Sequence, residues 1–568
     1  MRKFEYIVLS LSALLMSASA AYSQDLDPTV VVDRAYEGKL IEVHKPALEM
    51  SVPDTVMRFD LDFDYSVFER PYKGSYEFQP YLLSMKPSAV SEAGRRFFLK
   101  AGVGYQLHPT LDLVWSPLAR SEKKAFSVDI YAGHRSFVGN YASCGGNDAW
   151  SGYDMKSEAG VGMNYDWMKG ALELDVAYCG FHQKEPAWRR GYNALDLDFN
   201  INSKNSGVSG FIYDLGVAYR LAGDRTHMAD SQVNSLTEHN ISADLMLGFK
   251  YKERSRIVLE TAVSTYGYSG FLQGNAVDVV AVPKFIYRRG ILSADLGLKV
   301  SYLVLDELSG VFRYPSKGQL LSPDVSVRLT IVPGALAFYA DAGGGNKVDS
   351  YSSLLEWNHH VNLTDSNAAA GPGEAMGVTV ERFRAAAGFD GRIGSSFSYN
   401  VFGGYSDYAS GLLNAVAPVS ENGVDRYVSG VGYAPYSAVY AGVDILFRNE
   451  RVTVDGSFVY SDYKGSAFAA DSYCLKPSAF KGDIAVEYNY NRRIFAGIDC
   501  RFASASTLAD SSYEMPAYAD LGIELQYVTS RRLSFWFRGG NLLGMTIQRN
   551  PLYAEKGVYF TAGICLNL

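Results

Sequence analysis

The stretch Leu292-Ser293-Ala294-Asp295-Leu296-Gly297-Leu298-Lys299-Val300-Ser301-Tyr302 decides the fold. Every even position is apolar, and every odd position is small, polar or charged. Side chains along a β-strand point alternately to opposite faces, so this segment forms a ribbon with one oily and one hydrophilic side. A helix would need its apolar residues at a period of about 3.6.

The same two-sided pattern recurs outward from that stretch. Ile241, Ala243, Leu245, Leu247, Phe249 and Tyr251 alternate with Ser242, Asp244, Gly248 and Lys250, and Leu172, Leu174, Val176 and Tyr178 alternate with Glu173 and Asp175. A soluble sandwich of sheets would show such strands too. The connections decide between the two. Tight turns at Lys169-Gly170, Glu253-Arg254-Ser255, Arg289-Gly290, Pro333-Gly334, Ile393-Gly394, Asn449-Glu450, Asn491-Arg492 and Ser530-Arg531 take turns with longer links. The longer links are Gly139 to Tyr153, Gly223 to Ser235, Asp306 to Gly318, Gly343 to Met376, Ser410 to Asp425 and Leu543 to Lys556. Short turns on one side and long loops on the other are the habit of outer-membrane barrels. The expectation is an all-β fold, a transmembrane antiparallel β-barrel of about 22 strands over 95–568. An even count brings both ends of the barrel to the periplasmic side. Trp115, Trp167, Tyr251, Tyr287, Phe447, Tyr488 and Tyr490 at strand ends suit the aromatic girdles where lipid meets water.

The N-terminus reads as a secretory signal over 1–23. Arg2 and Lys3 precede the apolar run Ile7 to Met16 and the small residues Ser17 to Ala21, with cleavage expected after Ala20 or Ser23. Residues 24–94 form an extended segment punctuated by Pro46, Pro53, Pro71, Pro80 and Pro87, either periplasmic or threaded into the lumen. Asp54-Thr55-Val56 matches a short O-glycan attachment pattern. After the signal, no run is long and apolar enough for a spanning helix. The net charge of -8 comes without a basic patch, which argues against nucleic acid as a partner.

Function classes narrow further. His134, His182 and His239 stand singly, with no nucleophile and base tied to them, so no enzyme is expected. His359 and His360 are adjacent without ligand-spaced partners and read as a solvated loop pair; no metal or other cofactor is expected. Gly343-Gly344-Gly345-Asn346-Lys347 lacks phosphate-loop spacing and reads as a flexible strand exit. The five cysteines form no framework, and small unpaired residues are the simplest reading.

What remains is the inward face and the loops. The expected lumen-facing charges are Glu173, Asp175, Asp244, Lys250, Asp295, Lys299, Asp483, Glu487, Asp499 and Arg501, which either tune solute selectivity or brace the wall across strands. A barrel this wide is not filled by its own side chains. The 34-residue connection Gly343 to Met376 is a candidate inward-folded constriction, with Tyr351, Leu354, Leu355 and Trp357 as its apolar anchor.

The chain resembles the barrel of TonB-dependent receptors, in particular divergent, plug-poor members from Bacteroidota. The resemblance rests on strand count, the turn rule and the ending, Gly540-Asn541-Leu542-Leu543, Tyr553, then Gly557-Val558-Tyr559-Phe560 through Leu568. It implies a C-terminal insertion strand with Val558, Phe560, Ala562, Ile564, Leu566 and Leu568 on one face, presented to the barrel-assembly machinery; the final residue is Leu568 where an aromatic is common. It also implies an outer-membrane location, contact with lipid, and passage or reception of a solute gated by loops and the N-terminal segment. The chain departs from the family at its start, where 24–94 is too short for the usual plug and carries no evident TonB-contacting motif. A structural or assembly barrel that docks a lipoprotein, periplasmic or at the surface, is the alternative.

Overall fold

A computed structural model describes residues 96–568 except 106, 119–124, 145–147, 205–209, 229–231, 253, 306–317, 319, 362, 364–375 and 422–423. The expected signal peptide over 1–23, the segment 24–94 and Asp54-Thr55-Val56 lie outside the described residues.

Twenty-two antiparallel strands form one sheet, each paired with its neighbours in chain order. The first, Phe97–Gly104, pairs with Thr110–Leu118 on one side and with the last, Tyr559–Asn567, on the other, so the sheet closes. Closure leaves no strand edge open to lipid, which is the condition for crossing a bilayer with strands. The outer face carries the oily side of each ribbon: Leu296, Leu298, Val300, Ile241, Phe249, Leu259 and Val401 are all exposed. This is a membrane-spanning barrel of the outer-membrane type.

Turn chemistry explains the tight side. Gly290, Gly334 and Gly394 have φ of 53°, 74° and 65°, in the left-handed region that glycine enters without a Cβ clash. Asn491 and Arg492 both have positive φ, 52° and 56°, as a two-residue hairpin whose twist matches its strands requires.

The opposite side differs from the loop reading in four places. Ser410 to Asp425, expected as a loop, is strand almost throughout: Phe397–Glu421 pairs with Val424–Arg448, 25 residues each, with a bulge between Tyr408 and Gly411. At about 3.3 Å per residue such a strand runs about 80 Å, against an apolar band of about 25 Å, so its outer part stands clear of lipid. The links over 139–153 and 223–235 are likewise shortened, because pairing continues to Tyr141 and Trp150 and to Met228 and Val233. Gly343 to Lys347 is not an exit loop: it lies in Leu336–Val348, with a bulge at Gly343/Gly345 where Gly345 has φ of 132°. Backbone pairing continues wherever a partner strand is available, and side-chain pattern alone does not reveal that once both faces are covered.

Both faces of the long hairpin are in fact covered. Leu412, Val431 and Tyr433 pack with residues of the 349–361 segment. Leu413 packs with Ala467 and Cys474, and Val416 with Leu475, Leu508, Tyr513, Met515 and Leu552. Among the described residues, the buried apolar clusters gather at the long-loop end.

Candidate functional site

The segment that follows strand Leu336–Val348 turns inward and is held against the inner wall. A short helix, Tyr351–Trp357, begins at Ser350, whose hydroxyl accepts the Ser353 N–H at 3.2 Å, an N-cap that satisfies one of the free amides of the first turn. Tyr351, Leu354 and Leu355 are buried, while Trp357 lies on the exposed side of the helix. Around the three buried residues gather Tyr192, Ala194, Ala222, Leu236, Tyr268, Leu272, Val361, Met376 and Val431. These belong to strands far from Leu336–Val348 in the ring as well as to the long hairpin, so the segment bridges separate parts of the wall.

Polar groups fasten it. The Arg190 guanidinium donates to the carbonyl oxygens of His359 at 3.0 Å and Val361 at 2.6 Å, and its Nε lies 3.4 Å from Asp224 Oδ2. The Tyr351 hydroxyl donates to the same Asp224 carboxylate. Glu238 accepts from the Ser352 N–H at 3.1 Å and from the Tyr268 hydroxyl at 3.2 Å. Arg220, bound to Asp196 at 2.6 Å, reaches Glu356 at 3.2 Å. On the far side the Asn358 amide donates to Asn414 at 3.3 Å. Arg190, Asp224 and Glu238 are nearly inaccessible to water, where a charge is tolerated only when paired or hydrogen-bonded.

His359 and His360 depart from the solvated pair read in the sequence. His360 is buried, its ring stacked on Tyr553 with centroids 4.1 Å apart and planes at 5°, and its Nδ1 is 2.7 Å from Glu185 Oε1 and 2.8 Å from Gln183 Nε2. His359 is half-buried, 3.9 Å from Asp154. The stack with Tyr553, which comes from the link before the last strand, explains the burial. Among the described residues no group of three or more His, Cys, Asp and Glu is arranged to hold a metal. The five cysteines are free.

The ten charges expected on the inner face alternate along their strands with exposed apolar residues such as Tyr178, Ile241, Leu298, Val486 and Ile498. Glu173, Asp175 and Asp244 line a concavity of about 280 Å³ with Asp198 and Asn200. Asp175 accepts from the Tyr131 hydroxyl at 2.9 Å, Asp295 pairs with Arg288, and Lys299 reaches the Gly344 carbonyl at 3.4 Å. Lys250 lies opposite Arg256, Glu487 opposite Gly497 and Asp499 opposite Ala485 on adjacent strands, and Asp483 and Arg501 face each other as direct neighbours. A side-chain row not singled out from the sequence runs beside them. Asn400 donates to Asp444 at 3.0 Å, Ser457 donates to Asp444 at 2.7 Å, Tyr339 donates to Asn400 at 2.8 Å, and Arg328 pairs with Asp390 at 2.6 Å. Such cross-strand contacts stitch the inner wall. Of the C-terminal residues, Phe560, Ile564 and Leu566 lie in strand Tyr559–Asn567, and Val558 and Leu568 flank it.

No family model matches the chain, and no curated protein matches it. Solved structures do. A copper transporter, OprC, aligns with a TM-score of 0.61 at 11% identity, over 84% of this chain and 80% of its own. The FrpB iron transporter from Neisseria meningitidis (F3-3 variant) gives 0.61 at 11%, over 84% and 82%. The hemophore receptor HasR of Serratia marcescens, in complex with its hemophore HasA and heme, gives 0.60 at 11%, over 84% and 80%. At this identity the likeness carries the fold alone: a closed 22-stranded outer-membrane barrel of the kind built by these transporters and receptors.

Proposed function

We propose that this chain is an outer-membrane receptor barrel that passes or receives a solute, and that the segment 349–361 closes its outer mouth. The observation that carries this reading is the fastening of that segment: an apolar helix face, a buried arginine and two buried carboxylates hold it to strands far from its own. A loop needed only to join two neighbouring strands has no use for such anchoring. Indeed its ends already meet, since the Asp349 N–H donates to the Gly377 carbonyl at 3.0 Å. The neighbouring folds, whose names specify copper, iron and a hemophore with heme as what they handle, support a receptor of solutes too large or too scarce for simple diffusion. In this reading the mixed inner-wall charges both brace the wall and bias what enters.

The test is conductance in planar bilayers. Replacing 350–376 by a three-residue Gly-Ser linker joins two ends that are already hydrogen-bonded, so the wall is preserved. Wild type should conduct rarely, and the shortened protein steadily. Equal conductance removes the segment from any gate. A shortened barrel that stays sealed while copurifying with a stoichiometric partner would favour a docking scaffold in its place.

A further inference from the structure

The closing segment ends on a buried acid and base with little around them to settle their charge. Glu185 sits in the three-residue turn between strands Gly170–Lys184 and Trp188–Ser203, at the long-loop end. Its side chain is 1% exposed, and that of His360 is 9%. Glu185 Oε1 and Gln183 Nε2 both approach His360 Nδ1, at 2.7 and 2.8 Å, and Gln183 Nε2 is also bonded to Glu185. The second carboxyl oxygen, Glu185 Oε2, and the Gln183 carbonyl oxygen are buried with no hydrogen-bond partner. Tyr553 stacks on the His360 ring with centroids 4.1 Å apart, and the His359 ring lies close to it at 4.0 Å, tilted by 40°.

We propose that Glu185 and His360 form a proton-operated latch: with a proton shared between them the segment 349–361 stays docked, and loss of that proton releases it. This inference rests on the closure reading above. The chemistry is a charge count. With the proton present, a carboxylic acid facing a neutral imidazole carries no net charge: the Nδ1 lone pair accepts the Glu185 O–H, and the Gln183 amide donates to Glu185 Oε1. Without it, the same dry site holds a carboxylate, one oxygen of which has nothing to bind, and such a charge is costly in an apolar setting.

The charges around the site do not cancel that cost. Arg190, on the adjoining strand, is committed to Asp224 and to two carbonyls of the segment. His359, on the segment itself, faces Asp154 of strand Trp150–Trp167. From the link before the last strand come Glu555 and Lys556; Arg549 holds the Glu555 carboxyl below its usual range, and burial brings Lys556 down to about 8. Tyr141, from strand Phe126–Tyr141, lies within reach of Glu185's charge and is itself neutral at physiological pH. Burial pushes Glu185 up to about 7, opposed by the Gln183 bond, His359 and Arg190, and burial holds His360 well below the usual imidazole range. Both directions favour the neutral pair.

The sign follows. An acid whose docked value is raised contributes stability below its ordinary value of about 4.3 and loses it as pH rises through about 7. Docking is therefore strong in mild acid and weakens through neutrality, the reverse of a salt-bridge latch.

The experiment uses the full chain in bilayers from pH 5.5 to 8.5. In parallel, hydrogen exchange of the 351–361 amides is followed in detergent and corrected for the intrinsic pH dependence of exchange. Wild type should open with a midpoint near 7, with at least a tenfold rise in conducting fraction across the range. Glu185→Gln, isosteric and neutral throughout, should lose the rise near 7 and stay closed across it. His360→Phe keeps the ring on Tyr553 and removes the acceptor, so its midpoint should move. A wild-type profile without pH dependence overturns the latch, as does a Glu185→Gln profile that matches wild type or a His360→Phe midpoint that stays put. If the linker-shortened protein fails to conduct, the closure reading falls, and the exchange data alone decide the latch: a rise in exposure near pH 7 that Glu185→Gln abolishes supports it, and exposure that does not change across pH 7 sinks it.

Discussion

The Arg190 guanidinium and the Val361 carbonyl oxygen are 2.6 Å apart, both nearly sealed from water. Because Arg190 also pairs with Asp224, and Asp224 accepts from Tyr351, one arginine ties the end of the segment to its beginning. The docked segment is thus a closed circuit of contacts, and cutting it at one point should loosen both ends.

Arg190→Met should cut it. The substitution keeps an unbranched side chain of similar reach and leaves Asp224 buried without its cation, a loss of about 3–5 kcal/mol for a broken buried pair. The cost falls on docking, because strand Trp188–Ser203 keeps its backbone pairing. Exchange of the 351–361 amides should rise at least a hundredfold, while the unheated barrel keeps its mobility on a denaturing gel. Unchanged protection would show that the arginine is not the pin.

Tyr351→Phe should act in the same direction with a smaller effect. It removes one hydroxyl donor and leaves Arg190 on Asp224, so about 1–3 kcal/mol is at stake. Conductance should rank linker-shortened above Arg190→Met, Arg190→Met above Tyr351→Phe, and Tyr351→Phe above wild type. Any other order in single-channel recordings would contradict the circuit.

Asp349, just before the helix, adds a second pH step. It is buried, accepts from the Thr379 hydroxyl at 2.7 Å, and is raised to about 6 by burial, against the Thr379 bond and Lys347. Its sign matches that of Glu185: docking is supported below the ordinary aspartate value and lost as pH rises through about 6. Asp349→Asn retains an oxygen for Thr379. Exchange of the segment against pH should then lose its limb near 6 and keep the one near 7, and an unaltered two-limbed curve would exclude Asp349.

These contacts show how far the residues alone can be read. The alternation in Leu292–Tyr302 and the glycines at 290, 334 and 394 carry the barrel, because strand period and turn geometry are local properties. Tyr351, Leu354 and Leu355 stand out as apolar in a polar link for the same reason. Their partners do not. Arg190, Asp224 and Glu238 lie on three strands over a hundred residues upstream, and each looks like any inner-face charge until the ring is closed. His360 was read as solvated because nothing near it in sequence covers it; Tyr553, which does, is 193 positions away. The one early signal was the short link holding Glu185, a three-residue turn on the side where long ones are the rule.

The inner wall predicts ion preference once the mouth is open. Asp175 and Asp198 are direct cross-strand neighbours, with Glu173 and Asp244 beside them in one concavity. Like charges facing each other across a ladder are unfavourable unless cations are drawn in. In the linker-shortened background, Asp175→Asn with Asp198→Asn should shift the reversal potential toward anions under a salt gradient. No shift would assign these aspartates to bracing alone.

The seam gives the last test, because closure depends on two backbones lying close together. Gly563 of strand Tyr559–Asn567 is paired with Gly102 of strand Phe97–Gly104, and a Cβ built on Gly563 would sit 1.9 Å from the Ala101 carbonyl oxygen. That contact is with backbone, so no rotamer change relieves it. A Cβ on Gly102 would in turn strike the Trp536 ring at 2.4 Å, which a side chain can relieve by moving, and would meet backbone less closely, the Ala562 carbonyl oxygen at 2.8 Å. Gly563→Val should therefore prevent the first and last strands from pairing. Every other pairing could still form, yet the sheet would keep two open edges in lipid, where each unpaired backbone group costs several kcal/mol. The expected result is loss of the compact, heat-modifiable band and accumulation of unfolded chain, with Gly102→Ala much milder. A Gly563→Val protein that folds and resists heat like wild type would mean that the two end strands are not held together as this register requires.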